Sequence, residues 1–257
     1  YISEKTIAEL REYYPDVPMK ETKSLPEALS QINTATGKRF VIIIDEWDVL
    51  IRDEATNELI QKEYIGFLRG LFKGTEPTKY IQLAYLTGIL PIKKEKTQSA
   101  LNNFDEFTML SPGSLAQFIG FTEDEVRSLA ATYHQDFDKV KRWYDGYLLK
   151  DYEVYNPRAV VSVMLNGEFK SYWSETASYE AIVPLINMDY DGLKTAVIEM
   201  LSGGIVNVNT ATFKNDIVNI QSKDDVLTYM IHLGYLGYDQ KKRATFVPNE
   251  EIRQELL

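Results

Sequence analysis

The 257-residue chain contains no cysteine and only two histidines, His134 and His232. That removes disulfide frameworks, thiol nucleophiles and thiolate zinc sites and leaves almost no imidazole, so redox and zinc enzymes are not expected. Long apolar runs are also missing. The longest, Phe40 to Ile44, falls far short of the roughly 20 residues that span a bilayer, and no charged-then-apolar leader opens the sequence. Neither a membrane-embedded nor a freshly secreted form is expected, and the cytoplasm is the expected location. Positive charge is in deficit, with 28 Lys and Arg against 38 Asp and Glu and a net charge of −10. Such a balance repels a phosphate backbone, so a nucleic-acid role would need a local basic patch. The first residue is Tyr1 rather than methionine, and the chain is expected to be an excerpt of a longer protein.

What remains is a globular composition, 44% hydrophobic and 26% charged, in a length that suits one large domain or two of modest size. From Tyr1 to about Ser111, helical patterns alternate with short apolar runs, as in a layered α/β domain. Ser24-Leu-Pro-Glu27 reads as a capping box; Leu25, Leu29 and Ile32 recur at helical spacing, and Gly37 suits a left-handed cap. Phe40 to Ile44 is apolar on both faces and reads as a central parallel strand. Ile60, Tyr64, Phe67, Leu68, Leu71 and Phe72 form one helical stripe. Tyr80 to Leu86 reads as a second strand, and Phe104 to Leu110 as a third. After Gly120 the chain reads as mainly helical, with a capping box at Thr122–Glu125 and an N-cap at Asn156-Pro157. A helix around Asp191 to Leu201, a strand Ile205 to Asn209, a helix Asp224 to Leu233 and a hairpin around Gln240–Arg243 suggest a winged helix.

Ligands of open α/β sheets sit beyond the carboxyl ends of the strands. The first strand empties into Asp45-Glu46-Trp47-Asp48. An apolar strand ending in Asp-Glu is the second signature of a P-loop NTPase, in which the aspartate serves the magnesium shell and the glutamate deprotonates water. Taken alone, these four residues are read more readily as acids that simply mark a strand reaching solvent. The second strand ends in Leu86-Thr87-Gly88, which in the same architecture sets a small polar side chain beside the γ-phosphate; an ordinary turn is the alternative. A phosphate cradle is missing. Gly37-Lys38 lacks the spacing, the following hydroxyl and the preceding strand, and reads as a helix cap.

The blocks FVIIIDEWD, YLTGILPIKK, TQSALNNFDEFTML, GFTEDEV, WYDGY, VYNP and FKSYW follow one another in this order. Together they resemble the predicted AAA-ATPase-like family of bacterial proteins, relatives of the STAND and archaeal-type P-loop ATPases. The resemblance covers nearly the whole chain. It implies magnesium binding by Asp45, a general base at Glu46 and γ-phosphate sensing by Thr87, with ATP and Mg2+ as cofactors of the complete protein. It also implies an upstream P-loop of the form RRFGKS and, in many members, a downstream PD-(D/E)XK nuclease-like domain, neither of which lies within this sequence. Trp47 stands where the family more often has tyrosine.

The expected fold class is therefore α/β. A partial P-loop NTPase sheet over residues 1–112, a helical lid over 113–190 and a winged-helix-like domain over 191–257 are the expected parts. Arg158, opening a helix, is a candidate nucleotide sensor, although a surface arginine commonly serves solubility. Lys93-Lys-Glu-Lys96 reads as a solvated loop, Tyr144-Asp-Gly-Tyr147 as a turn flanked by lid core, and His232 as a core residue beside Met230 and Leu233. Expected partners are the upstream P-loop segment, a protein ligand of the winged helix and a C-terminal nuclease-like domain. DNA is not expected: Asp224 and Asp225 open the would-be reading helix, and residues 191–257 hold nine acids against seven bases. A non-catalytic interaction module on a degenerate ATPase scaffold is the alternative function.

Overall fold

The computed structural model describes residues 2–19, 21–53, 57–89, 94–95, 98–99, 101, 103–173, 190, 192–213 and 220–257. Lys93 and Lys96, residues 174–189 of the expected lid and Asp191 lie outside the described residues. The chain divides into two compact units, Tyr1–Asp105 and Glu106–Leu257.

The first unit runs α1 (Ile2–Tyr13), α2 (Leu25–Thr36), β1 (Phe40–Ile44), α3 (Val49–Asp53), α4 (Glu58–Phe72), α5 (Pro77–Tyr80) and β2 (Ile81–Leu86). A two-residue pairing of β3 (Lys94–Glu95) with β4 (Gln98–Ser99) follows. Gly37 caps α2 in the left-handed region at φ 71°, its N–H donating to Asn33 O at 2.7 Å. Ser24 is the N-cap of α2 through its backbone, but its side chain makes no cap bond, so the expected capping box does not form. Glu27 instead accepts from Gln31 Nε2. β1 and β2 pair in parallel, with Val41 opposite Leu83, Ile43 opposite Tyr85 and Ile44 opposite Leu86. One face of this pair, carrying Phe40, Ile42, Ile44, Ala84 and Leu86, packs on a core built from Ala28, Leu29 and Ile32 of α2 and Leu68, Leu71 and Phe72 of α4. The helical stripes are therefore the residues that cover the sheet, and burial of these side chains drives the packing.

Two expectations for the sheet fail. Among the described residues β1 is covered on one face only: Val41 (58%), Ile43 (69%), Leu83 (56%) and Tyr85 (49%) stay exposed on the other. Phe104 to Leu110 is not a strand. Thr108 Oγ1 accepts the N–H groups of Leu110 and Ser111, and the Thr108 and Ser111 backbones bond each other, so a local turn takes the groups a ladder would need. Phe104 packs edge-on to Phe72, ring centroids 5.2 Å apart, as a core plug.

The second unit begins with a short 3-10 helix (Gly113–Phe118), then β5 (Phe121–Thr122), α6 (Glu123–Thr132), α7 (Phe137–Tyr144), β6 (Tyr147–Leu149), β7 (Tyr152–Tyr155) and α8 (Pro157–Asn166). The capping box of Thr122 with Glu125 forms, and Asn156 caps α8 by accepting from Arg158 and Ala159. The expected helical lid also holds a three-stranded antiparallel sheet, ordered β5-β7-β6, because Asp145-Gly146 redirects α7 into a β-hairpin. Gly146 sits at φ 108°, and a Cβ there would lie 2.1 Å from Pro248 O. α9 (Leu193–Leu201), β8 (Val206–Asn207), α10 (Lys223–His232), β9 (Gly237–Asp239), β10 (Ala244–Phe246) and α11 (Glu250–Glu255) complete the unit, with a second antiparallel sheet ordered β8-β10-β9. Half-buried His232 packs by Phe213, and burial lowers its pKa to about 4.

Candidate functional site

The parallel register carries the pairing of β1 with β2 one step beyond both strands. Thr87 N–H donates to Ile44 O at 2.9 Å, and Trp47 N–H donates to Thr87 O at 2.8 Å. Asp45 and Thr87 are thereby set side by side, and the Thr87 hydroxyl donates to Asp45 Oδ1. Glu46 follows at φ 50°, a left-handed conformation uncommon for a residue with a side chain. It turns the Glu46 N–H onto Asp45 Oδ1 at 3.1 Å and Thr87 Oγ1 at 3.3 Å. Asp45, Glu46 and Thr87 thus converge at one sheet end, with both carboxylates exposed.

Behind them the turn is held from inside. Trp47 is buried, and its carbonyl accepts from Tyr64 OH at 2.7 Å; burial and then the charge of Asp48 raise the Tyr64 pKa. Asp48 is wholly buried and accepts the Ile89 N–H at 3.2 Å, tying the loop after β1 to the loop after β2. Gly88 lies flat against this junction: a Cβ there would stand 2.6 Å from Trp47 Cδ1 and 2.7 Å from Asp48 Oδ1. Arg52, on α3, brings Nε to 3.2 Å from Asp48 Oδ2 and Nη2 to 3.6 Å from Glu46 Oε2. The sequence reading missed Arg52 and the role of Asp48; the four-residue step between them was the available signal.

Hard, anionic oxygen at Asp45 beside a hydroxyl at Thr87 suits magnesium, which is commonly held by one or two carboxylates together with waters and phosphate oxygens. Gly37-Lys38 offers no cradle for those phosphates: Gly37 closes α2 and Lys38 Nζ lies 4.9 Å from the Tyr14 ring centroid.

Arg158 belongs to the second unit, on the first turn of α8, where its charge counters the effect of burial on Glu251. The buried Glu251 accepts the Tyr172 N–H at 2.7 Å and has its pKa raised to about 7, chiefly by desolvation. The same unit brings oxygens of Glu123, Asp145 and Glu153 within 4.8 Å of one another, a grouping compatible with a cation. Lys141 Nζ already stands among them, at 2.5, 3.6 and 2.9 Å respectively, and serves as that cation.

Residues 2–97 match the model of the family described as "Predicted AAA-ATPase". A protein of Azotobacter chroococcum mcd 1, described as "Uncharacterized protein in vnfD 5'region", is 31% identical over 163 residues, covering 62% of this chain and 31% of its own length. The chain thus spans about a third of that relative. No solved structure matches. The segment 2–97, which holds Asp45, Glu46 and Thr87, is thus similar to the predicted AAA-ATPase-like family.

Proposed function

We propose that this chain carries the magnesium-binding and water-activating half of a nucleoside-triphosphatase. The observation that supports it best is the convergence of Asp45, Glu46 and Thr87 at the carboxyl ends of two neighbouring parallel strands. In this reading Asp45 serves the Mg2+ of Mg-ATP, which shields the phosphate charge and polarises the bond to the leaving group. Glu46 orients the attacking water and accepts its proton, while Thr87 contacts the γ-phosphate and keeps Asp45 in place. Arg158 is a further proposed nucleotide sensor.

A P-loop supplied by a further segment of the same protein completes the site. The uncovered face formed by Val41, Ile43, Leu83 and Tyr85 supports this, because parallel sheets are buried on both faces and two strands alone are marginal. Covering a large apolar side chain fully stabilises by roughly 1.5–3 kcal/mol. The same uncovered face supports a second reading, in which the sheet is a scaffold that docks another protein without catalysis.

For the second unit we propose a winged-helix-like arrangement of α9, β8, α10, β9 and β10 that contacts protein rather than DNA in the cytoplasm, adjoining a nuclease-like domain in the longer protein. Asp224 and Asp225 open α10, and Asp239 accepts the Lys241 and Lys242 N–H groups and pairs with Lys242, offsetting the basic tip. Calorimetric titration with Mg-ATP tests the main reading. The chain alone should bind no better than about millimolar, since backbone N–H groups and a lysine must hold the triphosphate, whereas the longer protein should bind in the micromolar range or tighter. Weak binding by both would defeat the ATPase reading.

A further inference from the structure

We infer that Arg52 is a positioning residue for Glu46, an inference that rests on the nucleotide-hydrolysis reading of the site. Glu46 presents a carboxylate at the end of a flexible side chain to open solvent, where nothing in its own turn fixes the direction a proton-accepting oxygen must take. The guanidinium supplies that direction. Its Nη2 faces Glu46 Oε2 at 3.6 Å while its Nε faces Asp48 Oδ2 at 3.2 Å, so one planar group addresses two carboxylates with different nitrogens. Arg52 is in turn anchored by a wholly buried acid. Asp48 Oδ2 also accepts the Ile89 N–H, two residues beyond Thr87.

The chain of contacts Glu46, Arg52, Asp48 and Ile89 N–H therefore joins the loop carrying the base to the loop carrying the phosphate-sensing hydroxyl. A displacement of the Thr87–Ile89 loop reaches Glu46 through Asp48 and Arg52 as well as through the direct Thr87 contact. Gly88 leaves little slack in this path, because Trp47 and Asp48 occupy the space of any side chain there. The turn at Glu46, left-handed at φ 50°, keeps the carboxylate on the Arg52 side of the strand end.

A double-mutant cycle in the longer protein tests the inference, with kcat and KM for ATP measured for the parent, Arg52→Gln, Glu46→Gln and the double variant. Arg52→Gln should lower kcat by about 10-fold and leave KM within about two-fold, since it alters the orientation of a base rather than substrate binding. In the Glu46→Gln background, the same change should lower kcat by less than about two-fold, because the group that Arg52 positions is no longer a base. Equal losses in both backgrounds, or a parent-like Arg52→Gln, would overturn the positioning role while leaving the ATPase reading intact. A parent without ATPase activity would overturn that reading and this inference with it. If Arg52→Gln leaves buried Asp48 too poorly compensated to fold, Arg52→Lys carries the same cycle, keeping the charge but losing the two-sided fork.

Discussion

The Thr87 hydroxyl donates to Asp45 Oδ1 across 42 residues of sequence, and the Glu46 N–H reaches both oxygens from the next position. One aspartate is thus held by a neighbouring strand and by the turn it opens. An exposed carboxylate with two such donors has a fixed direction, which at the proposed magnesium site would limit the reorganisation that binding requires.

That arrangement separates the roles of the two acids. If the proposed site is completed in a longer protein, Glu46→Gln keeps shape and hydrogen bonding but removes the proposed base, so ATP hydrolysis should fall by roughly 100-fold or more while nucleotide binding persists. Asp45→Ala should instead remove the magnesium-dependent part of binding. Steady-state hydrolysis and titration with and without Mg2+ measure both; parent-like turnover by the two variants would show that this strand end is not the reaction centre.

Gly146 stands immediately before the hairpin that follows α7. Its φ is 108°, and a side-chain methyl added there would stand only 2.1 Å from Pro248 O, so backbone rather than a movable side chain would have to yield. Gly146→Ala should destabilise by more than about 2 kcal/mol, read as a lower urea midpoint. Gly37→Ala is the control: it shares a positive φ of 71° but meets nothing within 4 Å, so it should cost only about 1 kcal/mol. Similar midpoints for the two variants would contradict the packing at Gly146.

Glu251 makes stability depend on pH. Its folded pKa, raised to about 7 by burial, lies above the ordinary value near 4.3, so the native state holds its proton over a window in which the unfolded chain has lost it. This group's contribution is therefore fully present below about pH 4 and is lost as pH rises towards 7. Glu251→Gln stays neutral throughout. Its Tm should match the parent near pH 4 and exceed it by several degrees above pH 7. A Tm difference that does not change with pH would refute the assignment.

Much of the molecule was legible from local chemistry. Gly37 after the α2 pattern, Thr122 with Glu125, and Asn156 before Pro157 are local signals, and each cap appears where its residues place it. The apolar strand running into Asp45-Glu46 and the strand ending at Thr87 could be read one at a time for the same reason. Tertiary structure decided what depends on partners distant in sequence. Competing local bonds overrode two further patterns: Ser24 had the pattern of a capping box but makes only a backbone cap, and Phe104 to Leu110 had apolar residues enough for a strand but gave its hydrogen bonds to the Thr108 turn. The hairpin of β6 and β7 formed inside a stretch with helical patterning because Gly146 redirects the chain against Pro248, about 100 residues away. Sequence alone named the two acids and the threonine. Only the parallel register brought Thr87 to Asp45 and Glu46, because side chains separated by dozens of residues meet through sheet pairing and core packing rather than through local propensity, whereas Arg52 meets Asp48 and Glu46 within a few residues of sequence.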